Sequence, residues 1–224
     1  MNKRLQDEYL EFIYKGEKTP FSLGTLAVIC FCITLLIVAT FTKIDISHFW
    51  LIFDNGIKFT TKTYQLIPQI PIVMLTAALL GARFGFLTMF FYLLTGFFVW
   101  PVFAFGGGLS YIKSYFFGYI LGFFIASIFA GRILSQKYSF KNMFYASVIG
   151  VLSIHLCGML YSFILGIFNS SHYNPNFQLI LIQIIYDIIF SFIAILIARP
   201  MKYILWVGMK NDTRKNQKEN KKRV

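Results

Sequence analysis

Two ionisable side chains stand inside long apolar runs, and they are where chemistry could arise. Asp187 sits near the middle of "LILIQIIYDIIFSFIAILIA", and His155 near the middle of "IGVLSIHLCGMLYSF". A charged group at mid-bilayer costs at least about 2.5–3.5 kcal/mol on insertion scales, so one that persists there is a candidate site. Counting about 1.5 Å per residue from the outer ends of their runs puts the two at nearly the same depth, where they could pair. In that place a carboxylate can accept hydrogen bonds from a ligand, whereas an imidazole suits a structural polar contact between helices. Ser153 and Cys157 flank His155 and raise a hydrolase or acyltransferase as an alternative. They lie two residues either side of it, on other faces of a helix, which is poor geometry for a nucleophile and its base. No G-x-S-G or H-E-x-x-H pattern accompanies them.

A second candidate is the stretch "PVFAFGGGLSYIK", residues 101–113. Gly106, Gly107 and Gly108 free backbone N–H groups to turn towards a ligand, and the helix start that follows favours an anion. Lys113 is the one cation there. The loop is apolar where an outer loop could be polar, which suits a segment folded back over an apolar pocket as its lid and part of its floor.

The elements that position these residues follow from composition. Hydrophobic residues make up 57% of the 224 positions and charged residues 13%, too few to cover a soluble globule, so the chain reads as an integral membrane protein. Six apolar runs approach the length needed to span a bilayer as helices: 24–41, 64–82, 84–100, 114–134, 143–168 and 177–198. The expected fold is therefore all-α and polytopic, with six transmembrane helices. Helix-length runs argue against a barrel. The first run begins too late and is too long for a secretory signal, so it is expected to be retained.

With the N-terminus inside, 17 of the 21 Lys and Arg residues fall on the cytoplasmic side and four, Lys43, Lys58, Lys62 and Lys113, fall outside. That bias puts both termini in the cytoplasm. The expected organisation is a cytoplasmic segment over 1–22 that could form an amphipathic helix, a six-helix membrane domain over 23–199, and a basic cytoplasmic tail over 200–224. The tail is ordinary topology for a last span, and no nucleic-acid partner is expected. Cys30, Cys32 and Cys157 show neither disulfide nor metal-site spacing. No metal or other cofactor is expected. Gly118, Gly122, Ala126 and Ala130 recur every fourth residue and make a smooth face for close helix packing.

Together these residues resemble a known family. The order "YLLTGFFVWPVFA" from Tyr92 to Ala104, with Gly96 and Pro101 in place, then Gly106 to Gly108, then "FGYILGF" from Phe117 to Phe123, is similar to the BioY family. These are biotin-specific substrate-binding subunits of energy-coupling-factor (ECF) transporters. The upstream "PQIPIVMLTAALLGARFG" places the family's Gln on Gln69, and "HLCGMLY" at 155–161 resembles the corresponding segment of one branch. The resemblance covers about residues 65–198.

It implies six membrane helices in a bacterial-type inner (plasma) membrane, a vitamin pocket near the outer face, no catalysis, and a complex with a membrane coupling subunit and ATPase subunits. It also implies roles. Asp187 would accept from the ureido N–H groups of biotin, and Gln69 or Tyr119 would serve the ureido carbonyl. Phe103, Phe105 and Tyr115 would pack the ring, while Lys113 and the Gly106–Gly108 amides would meet the carboxylate. Ala78 and Ala82 would form a small-residue docking face for the coupling subunit. Many members carry D-x-x-K on the last helix; here Asp187 is followed by Phe190, so the ligand carboxylate must find another cation or stay near water. Another vitamin or precursor on the same fold is the alternative, separable by identifying what co-purifies.

Overall fold

The computed structural model describes residues 21–53, 57–169 and 177–223; the expected amphipathic segment and the loop between the last two expected spans lie outside them. Helix α1 runs Leu23–Phe41. It starts there because the Ser22 hydroxyl accepts the Thr25 backbone N–H at 3.2 Å, closing one of the open donors of the first turn.

An antiparallel ribbon follows, β1 (Ile44–Phe53) and β2 (Ile57–Leu66), in register from Ile44 opposite Leu66 to Phe53 opposite Ile57. This corrects the all-α expectation and moves the start of the second expected span, which lost residues 64–66 to β2. The physical reason lies in "IKFTTKTYQL": β-branched and aromatic residues alternating with polar ones favour a pleated strand.

Helix α2 (Gln69–Leu94) holds most of both the second and third expected spans. At Gly81 the backbone leaves the helix, with φ 73° and ψ −176°, a region essentially confined to glycine. The chain reverses there. Gln69 Nε2 donates to Tyr92 Oη at 2.7 Å, although 23 residues of straight helix would hold them about 35 Å apart. Ala77 and Gly85 likewise lie side by side, a Cβ at Gly85 coming 3.5 Å from Ala77 Cα. Phe21 stacks on Phe84 at 6.2 Å, and Gln69 Nε2 reaches Thr40 at 3.0 Å. Helix α1 thus starts at the reversal end and finishes at the Gln69 end.

A π-helical turn (Thr95–Val99) and a 3₁₀ turn (Leu109–Lys113) lead into α3 (Phe117–Gln136) and α4 (Phe140–Asn169). The small-residue face of α3 lies against α4: a Cβ at Gly122 would come within 2.7 Å of Ile154 Cα, and one at Gly118 would run into Tyr161. Ala126 and Ala130 are fully buried. Helix α5 (Phe177–Arg223) continues through Pro200 beyond the expected end of the sixth span. Tyr138, in the α3–α4 turn, ties to it by donating to the Ile195 carbonyl at 3.2 Å.

Five helices among the described residues are long and apolar enough to cross a membrane: Leu23–Phe41, Gln69–Val99, Phe117–Gln136, Phe140–Ile167 and Leu179–Leu205. Leu156, Leu160 and Phe163 on α4 and Ile185, Ile189 and Ile193 on α5 stand exposed, as faces turned to lipid do. Ala78 is fully buried in the core, so it does not present the exposed docking face expected of it.

Candidate functional site

At the end of the bundle away from Gly81, a cavity of about 210 Å³ opens between the base of β2, the start of α2, the 101–116 loop, α3 and α5. Gln65, Gln69 and Gln183 are its amides, Tyr111 and Tyr119 its phenols, and Phe105, Phe116 and Phe123 its apolar wall. No charged side chain lines it.

Gln69 is held at the first position of α2. Its Nε2 donates to Thr40 Oγ1 at 3.0 Å and to Tyr92 Oη at 2.7 Å. The Tyr92 hydroxyl in turn donates to the Val102 carbonyl at 3.1 Å, so a single phenol joins α2 to the loop. Both amide hydrogens are therefore committed, and what Gln69 offers the cavity is its carbonyl oxygen, an acceptor. This revises the role expected for it as a donor to a ligand carbonyl.

The loop is a built structure. Phe103 and Gly106 exchange backbone hydrogen bonds at 3.0 and 3.1 Å, and the Gly108 N–H donates to the Gly96 carbonyl at 2.8 Å. Gly108 has φ 76°, and a Cβ at Gly107 would come within 2.8 Å of the Pro101 side chain. The glycines thus let the loop fold closely on itself. Two of their three amides are committed within the loop and none of the three residues lines the cavity, so an anion cradle there is not formed.

Phe103 is buried beneath the cavity, not on its surface; its ring centroid lies 4.7 Å from Tyr111, 5.6 Å from Tyr92 and 5.7 Å from Phe97. It supports Tyr111. Phe105 does line the space, stacked on Phe116 with centroids 4.4 Å apart. Lys113 ends the 3₁₀ turn, exposed and outside the lining. Tyr115 is half-buried outside the lining, its carbonyl accepting the Ser162 hydroxyl at 3.0 Å. The preceding 3₁₀ turn is pinned where Tyr161 donates to the Ile112 carbonyl.

Tyr119 connects the cavity to the buried pair of His155 and Asp187. One face of its environment is the cavity, and its ring meets His155 edge-on, with centroids 5.6 Å apart and planes at 89°. His155 Nε2 and Asp187 Oδ2 are 3.0 Å apart, both side chains about 1% exposed, which joins the two residues that lie at equal depth in the sequence. Asp187 thus lies behind His155, which itself lies behind the Tyr119 wall. Its Oδ1, His155 Nδ1 and Ser191 Oγ are buried without a hydrogen-bond partner.

Sequence reasoning missed Gln65, Tyr111, Phe116, Phe123 and Gln183. Gln183 carried a usable signal: it is a polar residue in an apolar run, one helical turn before Asp187. Tyr111 is buried, which pushes its phenol up to about 12, so it stays a protonated donor through neutral pH.

Comparison with known proteins points the same way. The family model described as the BioY family matches residues 14–205. A protein of Lysinibacillus sphaericus named "Probable biotin transporter BioY" is 34% identical over 98 residues, covering 43% of this chain and 50% of that one. One of Pyrococcus horikoshii with the same name is 35% identical over 109 residues, covering 44% and 64%. The chain therefore spans about half the length of the first relative and less than two thirds of the second. Its fold is similar to the crystal structure of the S-component for biotin from an ECF-type ABC transporter, with TM-score 0.59 and 20% identity over 81% of this chain and 94% of that one.

Proposed function

We propose, since this chain belongs to the BioY family, that it is the substrate-binding subunit of an ECF-type vitamin uptake transporter and takes biotin into the cavity beside Gln69. The observation that carries this reading is the uncharged lining, three amides and two phenols set in an aromatic wall. Such a lining suits a ureido ring fused to an apolar sulfur ring. The Gln69 carbonyl oxygen accepts from a ureido N–H, and Tyr111 and Gln183 are placed to donate to the ureido carbonyl. Phe105 and Phe116 close over the ring. With no cation in the lining, the carboxylate points outward to water, near the exposed Lys113. Asp187 positions Tyr119 through His155 and does not itself touch the ligand.

The relatives named as probable biotin transporters support biotin over another vitamin. Neither candidate nucleophile of the hydrolase alternative is set against His155: the Ser153 hydroxyl donates to the Gly150 carbonyl at 2.7 Å, and Cys157 stands two residues from the imidazole on another face of the helix. The partners in this reading are a membrane coupling subunit and ATPases, supported by the family match and by the likeness to an S-component from an ECF-type ABC transporter. Counting the two arms of α2 separately gives six crossings of a bacterial-type plasma membrane, with both termini cytoplasmic; the reversal at Gly81 and the lysine and arginine bias support that count.

Purification of the full chain in detergent, followed by mass spectrometry of bound small molecules and calorimetric titration with biotin, tests the reading. Biotin is expected to co-purify, and Gln183→Leu is expected to weaken it about two- to tenfold, the net worth of one neutral hydrogen bond. Preferential binding of a different vitamin sinks the assignment of ligand; no bound ligand at all sinks the pocket.

A further inference from the structure

A second cavity, of about 700 Å³, opens at the other end of the bundle beside the Gly81 reversal. Three cations line it, Arg83, Arg132 and Lys202, and no carboxylate does. Lys202 decides its character. It is only 6% exposed, its Nζ lies 5.8 Å from the Tyr138 ring centroid, and it has no carboxylate partner among the described residues. A buried ammonium facing only a ring is poorly compensated, and two guanidinium groups on the same cavity add to the positive field. Arg83 Cζ lies 5.6 Å over the Phe84 ring, which leaves the in-plane N–H groups of its guanidinium for an anion.

Apart from Ser135, the rest of the wall is apolar, with Phe21, Phe84, Phe86 and Ile128 its large side chains. An inorganic anion would use the cations and leave that wall unfilled. The depth is that of lipid headgroups. Arg132 lies one turn from the end of α3 at Gln136, and Lys202 lies near the end of the apolar stretch Leu179–Leu205.

We propose that this cavity binds an anionic phospholipid, its phosphate held among Arg83, Arg132 and Lys202 and the upper part of an acyl chain against the phenylalanines. Each cation near an anionic lipid surface contributes about 1 kcal/mol, which is about fivefold in affinity. The site stands at the opposite end from the biotin cavity, and its occupancy is independent of biotin.

The test uses the full chain reconstituted into mixed phosphatidylglycerol and phosphatidylcholine vesicles, extracted gently, with retained lipid counted by native mass spectrometry. Wild type is expected to retain phosphatidylglycerol preferentially, and Arg132→Gln and Lys202→Gln to lower that preference about fivefold each. Arg132 is exposed, so its variant folds even where the Lys202 one does not. Lys43→Gln, an exposed charge at the other end of the bundle, is expected to change nothing. Equal retention by wild type and Arg132→Gln overturns the proposal. So does thermal stabilisation by inorganic phosphate alone without lipid retention, which would make the site one for a small anion.

Discussion

Replacing Asp187 by Leu is expected to destabilise the protein while changing biotin affinity little. The carboxylate is buried and its Oδ2 lies 3.0 Å from His155 Nε2. His155 Nδ1 already lacks a partner, so the substitution leaves both ring nitrogens unsatisfied in an apolar surrounding. A buried polar group so stranded costs about 1–3 kcal/mol. The double variant His155→Phe/Asp187→Leu removes both halves and strands nothing, so it should recover most of that loss, giving a coupling energy of similar size. Urea unfolding in detergent, followed by tryptophan fluorescence, measures the four corners of the cycle, and biotin titration is run on each. An additive cycle, with each single variant as stable as wild type and biotin binding weakened tenfold or more by Asp187→Leu alone, would refute the reasoning: the carboxylate would then be touching the ligand.

Gly81→Ala forces a side chain into φ 73° and should cost about 1–3 kcal/mol, read as a lower unfolding midpoint. Lys113→Gln should leave biotin affinity within about twofold of wild type, the worth of an exposed, screened charge, and a larger loss by calorimetry would bring the lysine back into the site. Tyr111 holds its proton more tightly folded than unfolded, its phenol raised from 10.0 to about 12 by burial, so it contributes stability that is full below pH 10 and lost as pH rises towards 12. Unfolding midpoints of wild type and Tyr111→Phe should therefore converge across that window, and parallel curves would mean the phenol is not buried in solution.

Much of this architecture was legible because apolar runs and glycines act locally. The runs located the helices, and the four-residue spacing of Gly118, Gly122, Ala126 and Ala130 identified a packing face. Equal depth brought His155 and Asp187 together. The ribbon was hidden because "IKFTTKTYQL" has too little apolar character to register in a search for spans, and strand pairing joins residues far apart in sequence. Which groups face the cavity was hidden for a different reason. Lys113 and the Gly106–Gly108 amides had the right chemistry, but a 3₁₀ turn and backbone bonds to Phe103 and Gly96 turned them elsewhere. Those contacts are set by three-dimensional closure, which residue type does not encode.

The reversal at Gly81 also makes chain length itself a constraint. Gln69 meets Tyr92 only because the two arms are nearly equal, Gln69 lying 12 residues before Gly81 and Tyr92 11 after it, so the contact measures both arms against each other. Each helical residue advances about 100° round the axis and 1.5 Å along it. A single insertion between Ala82 and Tyr92 would swing the phenol away from Gln69, Thr40 and Val102 together, whereas many apolar substitutions along the same arm would leave it in place. Natural variation in this segment should thus run freely through side-chain identity and hardly at all through gaps.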